Sequence, residues 1–132
     1  MATTASTARQ YPLVACADLR IANIGTGNGI TIAVPVNSLV TAIAAHVVTA
    51  FDSATTTTVT ASDGTVTFIS AEDAQAAAGS DIAVDAGTAP LFYPSGGTIT
   101  FSMAETGATA TVGRILGTVT YVIVGRQNEN QF

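Results

Sequence analysis

The sequence contains no lysine and little charge of either sign. Only 10% of its residues are charged, and its four arginines, Arg9, Arg20, Arg114 and Arg126, stand singly along the chain. An average soluble domain has about 25% charged residues. With no basic run or patch, we do not expect binding to nucleic acid through its phosphates. The low charge favours a domain that packs against copies of itself or against a larger partner.

Cysteine and histidine each occur once, so the chain offers few candidate catalytic residues of these types. A single cysteine, Cys16, cannot form an internal disulfide, and no Cys/His spacing indicates zinc. Its Val-Ala-Cys-Ala-Asp setting predicts an inert thiol in the core. As a catalytic base, His46 would need an orienting carboxylate and a nucleophile, for which only Ser38 and Ser53 are candidates. We therefore expect a protein that is not an enzyme and has no catalytic residues.

The acidic residues are too dispersed to predict a metal or cofactor site. Asp81 and Asp85 lie four residues apart on a predicted strand, whereas a calcium ion needs six or more oxygen ligands. Glu72 and Asp73 fall in the first turn of a predicted helix, where the helix dipole explains them. No window approaches the roughly 18 apolar residues of a membrane span, and the N-terminal segment lacks the apolar core of a signal peptide. We expect no cofactor, no membrane contact and synthesis in a cytoplasm.

Threonine and β-branched residues dominate what is present, with 22 threonines in the chain. Residues 39–50 form a run without glycine, proline or charge that is apolar on both faces and could be a buried helix or a strand. The density of β-branched residues, with Thr41 and Thr49 breaking any helical stripe, favours a strand. A threonine-rich segment then leads to Asp63-Gly64, a hairpin dipeptide, and a return run over residues 65–69.

Other short segments show the alternation typical of strands, at residues 18–24, 30–34, 81–85, 98–103 and 115–124. Ser70, with Asp73 three residues later, predicts the N-terminal cap of a short helix near residues 70–79, and residues 87–97 are predicted as loop. The whole is a single antiparallel β-sandwich or jelly roll of about eight strands with one short helix. The expected divisions are a flexible arm (1–12), the sandwich domain (13–126) and a polar tail (127–132).

Two loop segments carry residues that could bind ligands. The glycine-rich segment 25–29 lacks the spacing of a dinucleotide-binding fingerprint and precedes a strand, so it predicts a hairpin turn at Asn28-Gly29. Phe92 and Tyr93 lie between two prolines in the predicted loop. Such aromatics can anchor an interface, stack on sugars or plug the end of the sandwich.

Two stretches resemble small virion proteins of tailed bacteriophages: residues 46–64, HVVTAFDSATTTTVTASDG, and residues 120–131, TYVIVGRQNENQ. The resemblance is strongest to head decoration (cement) proteins of short-tailed phages. It implies a jelly-roll or related β domain that sits as a homodimer or homotrimer on the capsid exterior and bridges subunits of the major capsid protein. It carries over no active-site motif.

We accordingly expect a structural protein of the virion, made in the host cytoplasm and bound to the outside of the head. The alternatives are a carbohydrate-binding or adhesive module of a tail fibre or spike, and a tail or head-joining protein. The expected partners are the major capsid protein and further copies of the chain. The predicted contact residues are Thr3 and Arg9 in the arm, Phe92 and Tyr93 in the loop, and Arg126, Asn128, Glu129 and Phe132 in the tail.

Overall fold

Two four-stranded antiparallel sheets form the domain in the computed structural model, which describes residues 11–125. The predicted arm and tail therefore lie almost wholly outside the described residues. A 3-10 turn at Ile21–Asn23 follows the first strand. The strands are β1 (Leu13–Arg20), β2 (Ile30–Val34), β3 (Ser38–Thr49), β4 (Thr56–Ser62), β5 (Thr67–Asp73), β6 (Leu91–Tyr93), β7 (Gly97–Thr106) and β8 (Arg114–Ile123).

The strand order is nested. Sheet A has the order β1-β8-β3-β6 and sheet B the order β2-β7-β4-β5. The first strand thus pairs with the last, the second with the seventh, the third with the sixth, and the fourth with the fifth. A double sheet of eight strands wound in this way is a jelly roll. The predicted all-β sandwich is confirmed.

The central prediction, a long strand followed by an Asp-Gly hairpin, is also confirmed. Residues 38–49 form β3, and β4 and β5 are joined by the turn at Asp63-Gly64. Gly64 has a φ of 93°, which glycine adopts without strain. One carboxylate oxygen of Asp63 accepts hydrogen bonds from the backbone N–H groups of Thr65 and Val66, at 2.8 and 2.6 Å. The aspartate therefore fixes the turn with its own side chain.

The helix predicted near residues 70–79 is wrong. Its first residues belong to β5, and Ser70 donates a hydrogen bond to the Asp85 carboxylate instead of capping a helix. Phe68 and Ile69 are fully buried, so their place in the core extends the strand through the supposed cap. Tertiary packing here outweighs the local helical signal.

The hairpin predicted at Asn28-Gly29 is also wrong, because β1 and β2 lie in different sheets. The connection crosses the end of the sandwich and is held by its own amides. The Asn23 side chain donates to the Asn28 carbonyl, and the Asn28 side chain donates to the Ile24 carbonyl. Glycine is needed at position 29 because a Cβ there would lie 2.4 Å from the Phe101 carbonyl oxygen.

The strand predicted over residues 18–24 lies instead at Leu13–Arg20, and residues 21–23 form the 3-10 turn. Two further boundaries differ from the predictions. Residues 81–85, predicted as a strand, contribute only an isolated bridge between Asp81 and His46. The predicted loop 87–97 contains the short strand β6, which pairs with the start of β3. Both differences involve contacts with β3, which lies more than thirty residues away in the sequence. The residues next to either segment therefore do not indicate these contacts.

A single apolar core lies between the two sheets, and its centre depends on a row of small residues. Ala17, Gly117 and Ala45 lie side by side across β1, β8 and β3, and all three face inward. Phe101 of β7 is fully buried against this row. A Cβ on Gly117 would lie 2.7 Å from the Phe101 ring. Because Gly117 has no side chain, it leaves the space that the Phe101 ring fills.

Replacing Gly117 with alanine should destabilise the domain by about 1–3 kcal/mol, because the added methyl group must displace a buried ring. Denaturant unfolding measures this loss. In a Phe101→Leu background the outer ring atoms are gone, so the cost of Gly117→Ala should shrink by at least about 0.5 kcal/mol. An equal cost in both backgrounds would mean that the ring contact is not its cause.

Candidate functional site

The structure describes only Phe92 and Tyr93 among the predicted contact residues, and it separates their roles. They are neighbours on β6, and neighbouring side chains on a strand point to opposite faces. Phe92 points outward and is 45% exposed, whereas Tyr93 points into the core and is 9% exposed. Six of the predicted residues lie outside residues 11–125: Thr3, Arg9, Arg126, Asn128, Glu129 and Phe132.

Phe92 belongs to an uncharged patch on the outer face of sheet A. It lies opposite Leu39 of β3, and Leu39 lies opposite Val122 of β8. Val14 of β1 is one row further along, opposite Thr120, and is 57% exposed. We call Val14, Leu39, Phe92 and Val122 the outer apolar patch. A sheet face that carries exposed apolar side chains in adjacent rows is a candidate surface for a partner.

Three members of this patch, Val14, Leu39 and Val122, were not predicted from the sequence. A signal for Leu39 was present, because the run 39–50 is apolar on both faces and one of those faces has to lie outside the core. Sequence alone does not show which of its residues line up with Phe92. That alignment depends on the registers of β3 with β6 and β8.

Both terminal segments join the domain at the end of sheet A that carries the outer apolar patch. Leu13, the first residue of β1, lies opposite Tyr121 near the end of β8. The Val124 N–H donates to the Asn37 carbonyl at 2.7 Å, just before β3 begins. The described part of the chain therefore begins and ends beside the patch.

Tyr93 ties the two sheets together at this end. Its hydroxyl donates a 2.8 Å hydrogen bond to the second carboxylate oxygen of Asp63, in the β4–β5 turn of sheet B. Burial raises the pKa of the Tyr93 phenol far above its usual range, and the bonded carboxylate adds to this. Burial pulls the pKa of Asp63 upward, but the Val66 and Thr65 N–H groups and the Tyr93 hydroxyl pull it down further, so that the net pKa is lowered. Tyr93 is thus a core residue.

The opposite end of the same outer face is charged. Asp18 forms ion pairs with Arg114 at 2.9 Å and with Arg20 at 3.0 Å. Hydrogen bonds from Arg114 and then Arg20 lower the pKa of Asp18. His46 lies within 2.8 Å of Asp81. The outer face of sheet A therefore changes from apolar to charged along its strands.

The outer face of sheet B carries a row of hydroxyl side chains on each of its two central strands, β4 and β7. Thr56, Thr58, Thr60 and Ser62 alternate with buried residues along β4, and Thr98, Thr100 and Ser102 do so along β7. At one end a loop overhangs these strands and leaves an open groove of about 570 Å³. Its lining comprises Ile24, Gly25, Thr26, Gly27, Thr60, Ser102, Met103, Ala104 and Glu105. This lining can offer hydrogen bonds but no aromatic ring.

The residues considered for catalysis do not come together. Ser38 is fully buried and begins β3, so it lies about 26 Å along the strand from His46 at ~3.3 Å per residue. Ser53 is bonded to Thr57 and to the Gln75 side chain in a buried polar cluster. Neither serine is bonded to His46, so the histidine–carboxylate pair has no nucleophile beside it among these candidates.

The prediction that the Cys16 thiol lies in the core is wrong, because the side chain is exposed. It lies on the outward-facing side of β1, between Val14 and Asp18, because the burial pattern of this strand places its odd-numbered residues inside. The two aspartates considered as calcium ligands have different partners. Asp81 is hydrogen-bonded to His46, and Asp85 accepts a hydrogen bond from Ser70. Within residues 11–125 no three His, Cys, Asp or Glu residues are grouped to hold a metal ion.

Comparisons with known proteins give no relative. No protein-family model, no curated protein and no solved structure matches the chain. In the part of the chain that the structure describes, no helix has the length and apolar character to cross a membrane.

The domain should lose stability as the solution is acidified below about pH 4, partly through Asp63. Because the pKa of this carboxyl is lower in the folded state, its contribution is complete above the unfolded pKa and is lost as pH falls through the folded value. Asp63→Asn should therefore cost most stability near neutral pH, and the difference from wild type should shrink towards about pH 3. Urea unfolding at both pH values measures it, and a constant difference would contradict the assignment.

Removing the Tyr93 hydroxyl tests the same contact from the other side. Tyr93→Phe should lower the free energy of unfolding by about 1 kcal/mol at neutral pH, because it removes one hydrogen bond to a carboxylate. Tyr11→Phe is the matched control, since Tyr11 is 66% exposed and its loss of a hydroxyl should leave stability unchanged. Equal effects of the two substitutions would contradict a role for the Tyr93–Asp63 bond.

Proposed function

We propose that the protein is a non-enzymatic structural component of a bacteriophage virion, a decoration protein that binds the outside of the head and bridges major capsid protein subunits. The observation that carries the proposal is the outer apolar patch beside the attachment points of both terminal segments. Within residues 11–125 the chain begins and ends at the end of the domain that carries Phe92. A jelly roll alone would not decide the matter, because viral capsid proteins, lectins and cupins share it.

The chemistry of the surface supports this role. Interfaces are depleted of charged residues at their centres and enriched in aromatic residues. The outer apolar patch has that composition, with Phe92 as its one aromatic side chain, and the ion pairs that residues 11–125 form on this face lie at its far end. A patch of this kind suits a broad, dry contact with a protein lattice.

The energetics of a capsid explain why a small domain with few charged residues is sufficient. A protein that binds only the assembled shell stabilises that shell by mass action. When linked copies bind neighbouring capsid subunits together, weak individual contacts add up to strong attachment. Neither effect needs a catalytic centre or a deep pocket.

Binding to heads tests the proposal directly. Purified protein is mixed with phage heads that lack it, the heads are pelleted, and bound protein is measured against the major capsid protein. We expect saturation at a fixed, large number of copies per head and a higher melting temperature of the decorated heads. Absence of binding would overturn the proposal.

The patch itself is tested by Phe92→Ala, which should weaken head binding by roughly 2 kcal/mol if Phe92 anchors the contact. The control is Val112→Ala, because Val112 is similarly exposed, at 49%, but lies in the β7–β8 connection. Both variants should keep the melting temperature of the free protein. Equal binding of the two to heads would remove the patch from the interface.

The groove on sheet B favours a second candidate, a carbohydrate-binding or adhesive module of a tail fibre or spike. Its threonine and serine hydroxyls and the Glu105 carboxylate could bond to sugar hydroxyls. Glu105 already accepts a hydrogen bond from the Ala110 N–H, and the lining offers no ring for stacking. Specific hits on a glycan array, together with no binding to heads, would make this candidate the better one.

A further inference from the structure

The four edge strands of the sandwich are not equally protected. A bare edge presents unpaired N–H and C=O groups, and proteins guard edges with short strands, proline, charge or bulges. The edges here are β1 and β6 of sheet A and β2 and β5 of sheet B. An unguarded edge is a site for pairing with another strand.

Three of these edges carry guards. β6 has only three residues, and Pro90 and Pro94 flank it. β2 has five residues and is followed at once by Pro35. β5 is broken by register shifts against β4, has Ala71 at a φ of 46°, and ends in two acidic residues.

β1 carries none of these guards over most of its length. Its eight residues pair with β8 without a register shift and include no proline and no lysine. No strand among residues 11–125 lies on its other side. Exposed apolar side chains concentrate at its start, where Leu13 is 40% and Val14 is 57% exposed.

The charges of β1 do not oppose pairing with an identical strand. The chain as a whole carries −5, which repels copies from one another. Within β1 the only charged residues are Asp18 and Arg20, which cancel and are bonded to each other at 3.0 Å. The strand is therefore a neutral segment on an acidic protein, and it needs no countercharge from a partner of different chemistry.

We propose that β1 pairs antiparallel with β1 of a second copy, which joins the two A sheets into one eight-stranded sheet across a two-fold axis. A strand paired in this way meets its own sequence, so the inner residues Ala15, Ala17 and Leu19 meet the same apolar set of the second copy. One contact covers both unguarded edges and leaves only guarded edges in the dimer. This geometry closes at two copies.

The dimer would present two outer apolar patches on one face. The two-fold axis is perpendicular to the joined sheet, so the outer faces of both copies point the same way. The Phe92 side chains would lie about seven strand spacings apart, roughly 30 Å or more. In this one respect the inference rests on the proposed function, since a bivalent face suits the bridging of two capsid subunits.

Two single substitutions separate edge pairing from contact through the face. Cys16 of β1 and Ala44 of β3 lie opposite Thr118 on its two sides, in one row of the outer face, and both are exposed. Cys16→Asp puts a charge on the edge strand, whereas Ala44→Asp puts the same charge on an interior strand. Sedimentation equilibrium of the full-length chain over a range of concentrations compares them.

We expect wild type and Ala44→Asp to reach twice the 13.2 kDa mass of the chain with similar dissociation constants. Cys16→Asp should raise the dissociation constant at least about tenfold, because like charges that face each other across paired strands are destabilising. A monomer at every concentration, a trimer, or equal effects of the two substitutions would overturn the proposal. Head binding is not part of this assay, so its outcome is independent of the capsid role.

A second measurement does not depend on a disruptive variant. Cys16 is the only cysteine, so a nitroxide label on it reports only distances between copies. Electron–electron double resonance should give a distance below about 20 Å, since the paired strands are one spacing apart. Labels on Phe92→Cys in a Cys16→Ala background should be at least roughly 30 Å apart. The reverse order of the two distances would place the contact at β6 and overturn the proposal.

Discussion

The contact of Phe101 with Gly117 determines how the two sheets fit together. The ring comes from sheet B, and the row of Ala17, Gly117 and Ala45 in sheet A leaves room for it. This contact fixes which side of β1, β3 and β8 faces inward. Because side chains alternate along a strand, the outward positions of β1 and β8, among them Val14 and Val122, follow from it. In β3 a register shift between Val40 and Ala42 interrupts the alternation, so Leu39 faces outward although Ala45, six residues later, faces inward.

The two outer faces differ because the strands behind them differ in composition. Threonine and serine occupy the outward positions of β4 and β7, so sheet B presents hydroxyls to water. Sheet A has valine, leucine and phenylalanine at one end of its outer face and the Asp18–Arg114 pair at the other. Among residues 11–125 the ion pairs on this face lie at one end, which leaves the apolar end free for a dry contact.

The sequence predicted the features that depend on neighbouring residues. The alternation of residues 98–103, the β-branched run of β3 and the Asp63-Gly64 turn are local, and all three were found. The failures depend on distant partners. Ser70 bonds to Asp85 because β5 extends against β4, and Asn28-Gly29 bridges two sheets because β1 pairs with β8, almost a hundred residues away. Alternation likewise predicted that some residues would face outward, whereas the alignment of Phe92 with Leu39 and Val122 required the strand registers.

The nested order of the strands has a consequence for synthesis on the ribosome. Leu13 pairs with Tyr121, so the outermost ladder joins residues from opposite ends of the described chain. Only β4 and β5, linked by their short turn, can pair early from neighbouring sequence. The average sequence separation of contacts is accordingly high, and such topologies fold slowly. Sheet A can be completed only after β8 has left the exit tunnel. Until then β3 lacks the strand with which it pairs over most of its length.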